Sequence, residues 1–101
     1  MIVKQTETFE KWLDSLRDRQ AQLRIGARIL RLAEDNPGGH KVLSGGIVEM
    51  RIDYGPGYRI YYTRKGSEII LLLAGGDKRS QGKDIETAQR LANEWTGEGN
   101  D

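Results

Sequence analysis

The chain has 101 residues, no cysteine and a formal net charge of +1. That length supports one domain with a single core; the missing cysteine excludes disulfides and thiolate metal sites; and the near-neutral balance gives no global argument for nucleic acid. The longest apolar run, Ile69 to Ala74, is too short to span a bilayer, and Met1 to Glu7 lacks a signal-peptide pattern, so no membrane contact and a cytoplasmic location are expected.

Residues 2–5 are β-prone. Thr6 offers an N-cap for a helix of roughly 7–18, with Phe9, Trp12, Leu13 and Leu16 at i, i+3, i+4, i+7. Asp18 can cap a second helix of about 19–35. There Leu23, Ala27 and Leu30, with Ile29 and Ala33, are expected to line the buried face. Arg24, Arg28 and Arg31 share another face, which reads as solvated and could extend a nucleic-acid footprint. Asn36-Pro37-Gly38-Gly39 ends the helix by turn chemistry, and His40 falls in the loop beyond it.

From Ile47 the period becomes two. Glu49, Arg51 and Asp53 alternate with Val48, Met50, Ile52 and Tyr54; Arg59, Tyr61 and Thr63 alternate with Tyr58, Ile60 and Tyr62. Pairing Tyr54 with Tyr58 segregates apolar from polar side chains and leaves a Gly55-Pro56-Gly57 loop. In that register Asp53 faces Arg59, Arg51 faces Tyr61 and Glu49 faces Thr63. After a turn at Lys65-Gly66-Ser67, the run 68–74 is apolar on both faces and is expected to be central, between the hairpin and residues 2–5. Gly75 and Gly76 are expected to end it. A last helix of about 83–96 buries Ile85, Ala88, Leu91, Ala92 and Trp95, and the tail 97–101 is expected to fray.

Charge is distributed unevenly. Residues 51–83 carry seven basic and three acidic side chains, whereas residues 84–101 carry one basic and five acidic. Chain direction brings the loop 75–82 to the hairpin tip, so Arg51, Arg59, Lys78 and Arg79 converge, with Tyr61 beside them on the polar face. Guanidinium groups bind phosphate in bidentate fashion, and an exposed tyrosine can stack on an unpaired base. Such a cluster suits RNA cleavage by the RNA's own 2′-hydroxyl, which needs neither metal nor cofactor. Fixed positive charge would stabilise the extra charge on the phosphoryl oxygens. The single histidine excludes a paired-histidine mechanism, which leaves Lys78, Tyr61, Asp77 or Glu49 to move protons. Gly75-Gly76-Asp77-Lys78 lacks P-loop spacing.

The order β-α-α-β-β-β-α, Glu49-x-Arg51, the run Tyr54-Gly55-Pro56-Gly57-Tyr58-Arg59-Ile60-Tyr61-Tyr62, the Leu71-Leu72-Leu73 strand and Gly76-Asp77-Lys78-x-Ser80-Gln81 before Asp84-Ile85 resemble the RelE/ParE superfamily of bacterial toxins. They are most similar to its phage-related, HigB-like branch, the addiction module killer proteins. The resemblance implies an α+β fold, a small antiparallel sheet packed against an N-terminal helix pair and a C-terminal helix. It implies a ribosome-dependent endoribonuclease acting on messenger RNA, silenced by a helix-turn-helix antitoxin. It implies catalytic roles for Arg51, Arg59, Lys78 and Tyr61, and substrate binding by Arg79, Gln81 and Lys83. Arg79 stands where many relatives have a small polar residue, and no tyrosine follows Tyr62 to match the C-terminal tyrosine of RelE-type enzymes. The same fold also serves ParE-type toxins, which bind and poison DNA gyrase without cutting, and it could serve an inactive relative that only binds its antitoxin.

Overall fold

The computed structural model describes residues 1–95. The chain runs β1 (Ile2–Gln5), α1 (Glu7–Ser15), α2 (Arg19–Ala33), β2 (His40–Val42), β3 (Ile47–Ile52), β4 (Tyr58–Lys65), β5 (Ile69–Gly76) and α3 (Gln81–Glu94), with single 3-10 turns at Ser44–Gly46 and Lys78–Ser80. The α+β architecture is the expected one. The sheet has five strands in the order β1-β5-β4-β3-β2. It is mixed rather than wholly antiparallel, because β1 runs parallel to β5. The expected fraying of 97–101 lies outside the described residues. Among the described residues no helix is long and apolar enough to cross a membrane.

Side-chain caps start both N-terminal helices. Thr6 Oγ1 accepts the Phe9 N–H at 3.0 Å and donates to the Leu73 carbonyl at 2.7 Å, so one hydroxyl begins α1 and ties it to the central strand. Leu73 is the extra residue of a β-bulge, where Tyr61 pairs with Ala74 but Tyr62 with Leu72. A bulged residue drops out of the ladder, and Thr6 satisfies its carbonyl. Asp18 Oδ1 accepts from the Gln20 and Ala21 amides at 2.9 and 3.2 Å and begins α2. The chain from Leu16 to Asp18 is therefore a connector, which is why α1 stops short of residue 18.

Each sheet face carries its own apolar cluster. On one, Phe9, Ala21, Ile25 and Leu32 cover Met50, Ile52, Ile60, Tyr62, Ile70 and Leu72. On the other, Ala88 and Ala92 of α3, with Leu91 and Trp95 at the edge, cover Ile47, Tyr61, Leu71, Leu73 and Ala74. β5 is central and buried on both faces, as its composition implied.

Four local expectations are corrected. The stripe Leu23, Ala27, Leu30 of α2 faces outward, with Leu23 60% and Leu30 71% exposed; Ala21, Ile25 and Leu32 go inward instead, with Ile29 half-buried against them. The helix carries two apolar stripes and the sheet covers only one. His40 lies in edge strand β2, opposite Met50, rather than in a loop. Gly75 and Gly76 extend β5 rather than ending it. A Cβ at Gly75 would overlap the Trp12 ring and one at Gly76 would overlap Asp84 and Ser80, so bare backbone is what lets α1 and α3 close onto the strand.

The hairpin register is the fourth correction. Ile52 pairs with Tyr58, Arg51 with Arg59, Glu49 with Tyr61 and Ile47 with Thr63. Asp53 and Tyr54 leave the ladder for the turn. There Gly55 and Gly57 have positive φ and the Gly57 N–H bonds the Tyr54 carbonyl at 3.1 Å. A slip of two residues keeps every side chain on its face, so apolar alternation cannot distinguish the two registers. Tyr54 does: its hydroxyl donates to Asp18 at 3.0 Å and its ring lies under the Arg24 guanidinium.

Candidate nucleic-acid interface

The observed register sets Arg51 directly opposite Arg59 on the α3 face. Both side chains meet Glu49. Glu49 Oε1 lies 3.4 Å from Arg51 Nε and Oε2 lies 3.6 Å from Arg59 Nε, with side-chain exposures of 54% for Arg51, 12% for Arg59 and 1% for Glu49. Glu49 Oε2 also accepts from the Tyr61 hydroxyl at 3.3 Å and from Gln81 Nε2 at 2.6 Å. Arg59 Nη1 donates to the Gly57 carbonyl at 2.8 Å, which ties the strand to its own turn. From the opposite face, Arg28 of α2 donates to the carbonyls of Arg51, Pro37 and Gly39 at 2.5, 2.8 and 3.1 Å and so anchors β3 and the approach to β2. Burial pulls the Arg28 guanidinium below its ordinary pKa, aided by the nearby Arg31 charge.

A cleft of 340 Å³ opens beside the pair, lined by Arg51, Ile52, Asp53, Gly57, Tyr58 and Arg59. The loop after β5 reaches this cleft. Lys78 is exposed, and its Cβ lies 3.8 Å from where a Cβ on Gly57 would stand. Asp77 caps the Lys78–Ser80 turn by accepting the Arg79 N–H at 2.9 Å. Burial pushes the Asp77 carboxyl upward, but hydrogen bonds from the Arg79 side chain and the Arg79 and Ser80 amides outweigh it and hold the carboxyl below its ordinary value. Ser80 Oγ donates to Asp84 Oδ2 at 2.5 Å above Gly76 and fixes the start of α3.

The structure sorts the expected site residues. Arg51, Arg59 and Lys78 come together at the hairpin tip. Arg79 is exposed next to Lys78 but engages its own Asp77 at 3.3 Å. Lys83 is exposed on the first turn of α3, and the Gln81 amide points inward to Glu49. Tyr61 is fully buried beneath α3, so it cannot offer an exposed ring to a base. Burial, with the Glu49 charge and hydrogen bond, raises its phenol far above the ordinary value, so it stays protonated as a donor. Away from the turn, the hairpin face that alternation marks as polar is a second interior, because α3 covers it. His40 shares the helix-pair face with Met50 and stands away from the cluster. Sequence reasoning missed Glu49 as the buried centre of the cluster and Asp53 as part of the cleft wall. The Glu49-x-Arg51 spacing, which puts both side chains on one face, was the available signal for the first. Among the described residues, no group of three or more His, Cys, Asp or Glu side chains could hold a metal ion.

The family profile described as "Phage derived protein Gp49-like (DUF891)" matches residues 11–93. An "Uncharacterized protein" of Haemophilus influenzae (strain Rd) is 46% identical over 92 residues, which cover 91% of this chain and 93% of the relative. The chain belongs to the phage-derived Gp49-like family, a RelE-like toxin family.

Proposed function

We propose that the protein is the toxin of a type II toxin–antitoxin pair, on the HigB-like branch, and that it cuts messenger RNA on the ribosome by attack of the RNA's own 2′-hydroxyl. One observation carries the reading: Arg51 and Arg59 stand opposite one another at the mouth of a cleft, with Lys78 arriving from the next loop. Two guanidiniums and an ammonium supply positive charge where a pentacoordinate phosphorus gathers negative charge, and guanidinium stays protonated throughout. Proton transfer falls to groups that solvent reaches. Of the four residues named for it, Lys78 is exposed, Tyr61 and Glu49 are buried, and Asp77 is held by the Arg79 amide and guanidinium; Asp53, exposed on the cleft wall, is a further base.

The burial of Tyr61 and Glu49 favours a second reading, a cationic surface that binds without cutting, as a ParE-type toxin binds DNA gyrase. Inducing the gene in bacteria, mapping messenger 5′ ends and assaying supercoiling separates the two. New 5′ ends inside coding sequences support cleavage. Intact messages with inhibited supercoiling would replace it with the second reading.

The antitoxin has a candidate seat. α2 presents Leu23, Ala27 and Leu30 outward and carries no acidic residue; of its four arginines, Arg28 is turned onto the carbonyls of Pro37, Gly39 and Arg51, and Arg19, Arg24 and Arg31 are exposed. That surface complements an acidic amphipathic segment of a helix-turn-helix antitoxin. Leu23→Glu and Leu30→Glu should weaken antitoxin binding in calorimetry while shifting stability within about ±0.5 kcal/mol.

A further inference from the structure

Like charges directly opposite on adjacent strands repel, yet the hairpin places Arg51 against Arg59. Glu49 resolves the conflict. It lies two residues before Arg51 on the same face, and each of its carboxylate oxygens meets one Nε, at 3.4 and 3.6 Å. Contact through Nε leaves both Nη groups of Arg51 for other work, whereas Arg59 Nη1 is held by the Gly57 carbonyl at 2.8 Å. Among the described residues no hydrogen bond engages either Nη of Arg51. The carboxylate is itself held from behind by the Tyr61 hydroxyl and the Gln81 amide.

We infer that Glu49 is a positioning residue, a buried shared counter-ion that, together with the Gly57 carbonyl on Arg59, sets both guanidiniums beside the cleft where an RNA phosphate docks and leaves the Nη groups of Arg51 to meet it. This rests on the proposed nuclease reading. Glu49 does not act as a base, because its side chain is 1% exposed and lies behind both arginines. Stability alone does not account for it either. Replacing a buried ion pair by well-packed apolar residues is often neutral or stabilising, and Ile47, the residue before Glu49 on this face, is apolar and fully buried.

The charge makes a signature that separates positioning from folding. Glu49→Gln removes a negative charge beside the cleft, so electrostatics alone should tighten RNA binding. The same change frees the guanidiniums to splay apart, so the chemical step should slow. Misplacement of reacting or stabilising groups by an ångström costs on the order of 10²-fold.

The test uses the full chain, an RNA oligonucleotide for affinity, messenger-programmed ribosomes for single-turnover cleavage, and nitrogen-15 spectra of the arginine Nε–H groups. For Glu49→Gln the expected result is RNA affinity equal to or above the parent's and a single-turnover rate lower by about 10²-fold. The Arg51 Nε–H, hydrogen-bonded to Glu49 in the parent, should exchange faster, and the Arg59 Nε signal, buried and in ionic contact with Glu49 alone, should shift. Tyr61→Phe, which removes one donor to Glu49 and keeps the ring packing, should move all three readouts the same way by less. Parental cleavage and unchanged Nε–H signals in Glu49→Gln would overturn the inference, as would affinity and rate falling together in step with melting temperature. Should Glu49→Gln fail to fold, Tyr61→Phe decides by the same criteria. If the parent itself does not cut RNA, the nuclease reading falls. The Nε–H spectra then still decide whether Glu49 holds the two arginines.

Discussion

The two faces of the sheet are made by the same strands and filled differently. On the helix-pair face, Met50, Ile52, Tyr58, Ile60 and Tyr62 run apolar along the whole hairpin beneath α1 and α2. On the α3 face the far end is apolar apart from Thr63, whose hydroxyl donates to the Gly46 carbonyl, with Ile47, Leu71 and Leu73 under Ala88 and Ala92. Toward the turn that face changes to Glu49, Arg51 and Arg59. The change falls where α3 begins, at Gln81, whose amide reaches Glu49. One face is closed for stability; the other is closed for half its length and opens where the helix starts. The position of one helix terminus thus decides which polar residues of a β-hairpin are interior and which meet solvent.

The largest test of this contrast lies in the closed regions. Leu72→Ala on the helix-pair face and Leu71→Ala on the α3 face should each cost roughly 2–5 kcal/mol, measured as a lower urea midpoint. A much smaller loss for Leu71→Ala would mean that α3 seals its half of the sheet poorly.

At the open end, activity and stability should separate. Arg51→Ala should lower single-turnover cleavage by on the order of 10²–10³, or roughly 3–4 kcal/mol, while stability changes by about 0–1 kcal/mol. Arg59→Ala should lower cleavage as well and also lose roughly 1–3 kcal/mol of stability, because it leaves the buried Glu49 carboxylate with one partner fewer. Equal stability losses in the two variants would erase the boundary between interior and surface at this pair. Lys78→Ala should follow Arg51→Ala.

The seam between the halves should be sensitive to volume. Gly76→Ala puts a methyl group into the space of Asp84 and Ser80, and overpacking of this kind costs about 1–3 kcal/mol. Thermal melts of Gly76→Ala and Gly76→Ala/Asp84→Ala should show partial recovery in the double variant, since the second change removes the clashing carboxylate.

The smallest effect is the acid response of Asp77. Its folded carboxyl is held below its unfolded value. The resulting stability is therefore complete above the ordinary carboxylate range and is lost as pH falls through the lower, folded value. Between pH 7 and 5 this group should contribute no slope. Below about pH 4 the parent should lose stability that Asp77→Asn does not, by less than about 1 kcal/mol. A slope confined to Asp77 near neutrality would contradict the capped turn beside the cleft.

Much of this was legible locally. Thr6 and Asp18 announce both helix starts because short polar side chains satisfy the first free amides of a helix. Period-two alternation assigns Arg51, Arg59, Glu49 and Tyr61 to one face, and the doubly apolar run 68–74 marks a central strand; both assignments hold. What local pattern could not decide was anything left unchanged by a two-residue slip, and anything that depends on which element lands on which face. The slip put Arg51 opposite Arg59 rather than Tyr61. The docking of α3 buried Tyr61 and Glu49 and turned a polar-looking stripe into the support of the cationic pair. The docking of α2 by one apolar stripe left Leu23 and Leu30 outside. Periodicity and caps are properties of a few neighbouring residues, so the sequence alone determined the elements and their faces. Register and cover are settled by contacts between residues far apart in the chain, so only the tertiary structure decided which charges reach the cleft.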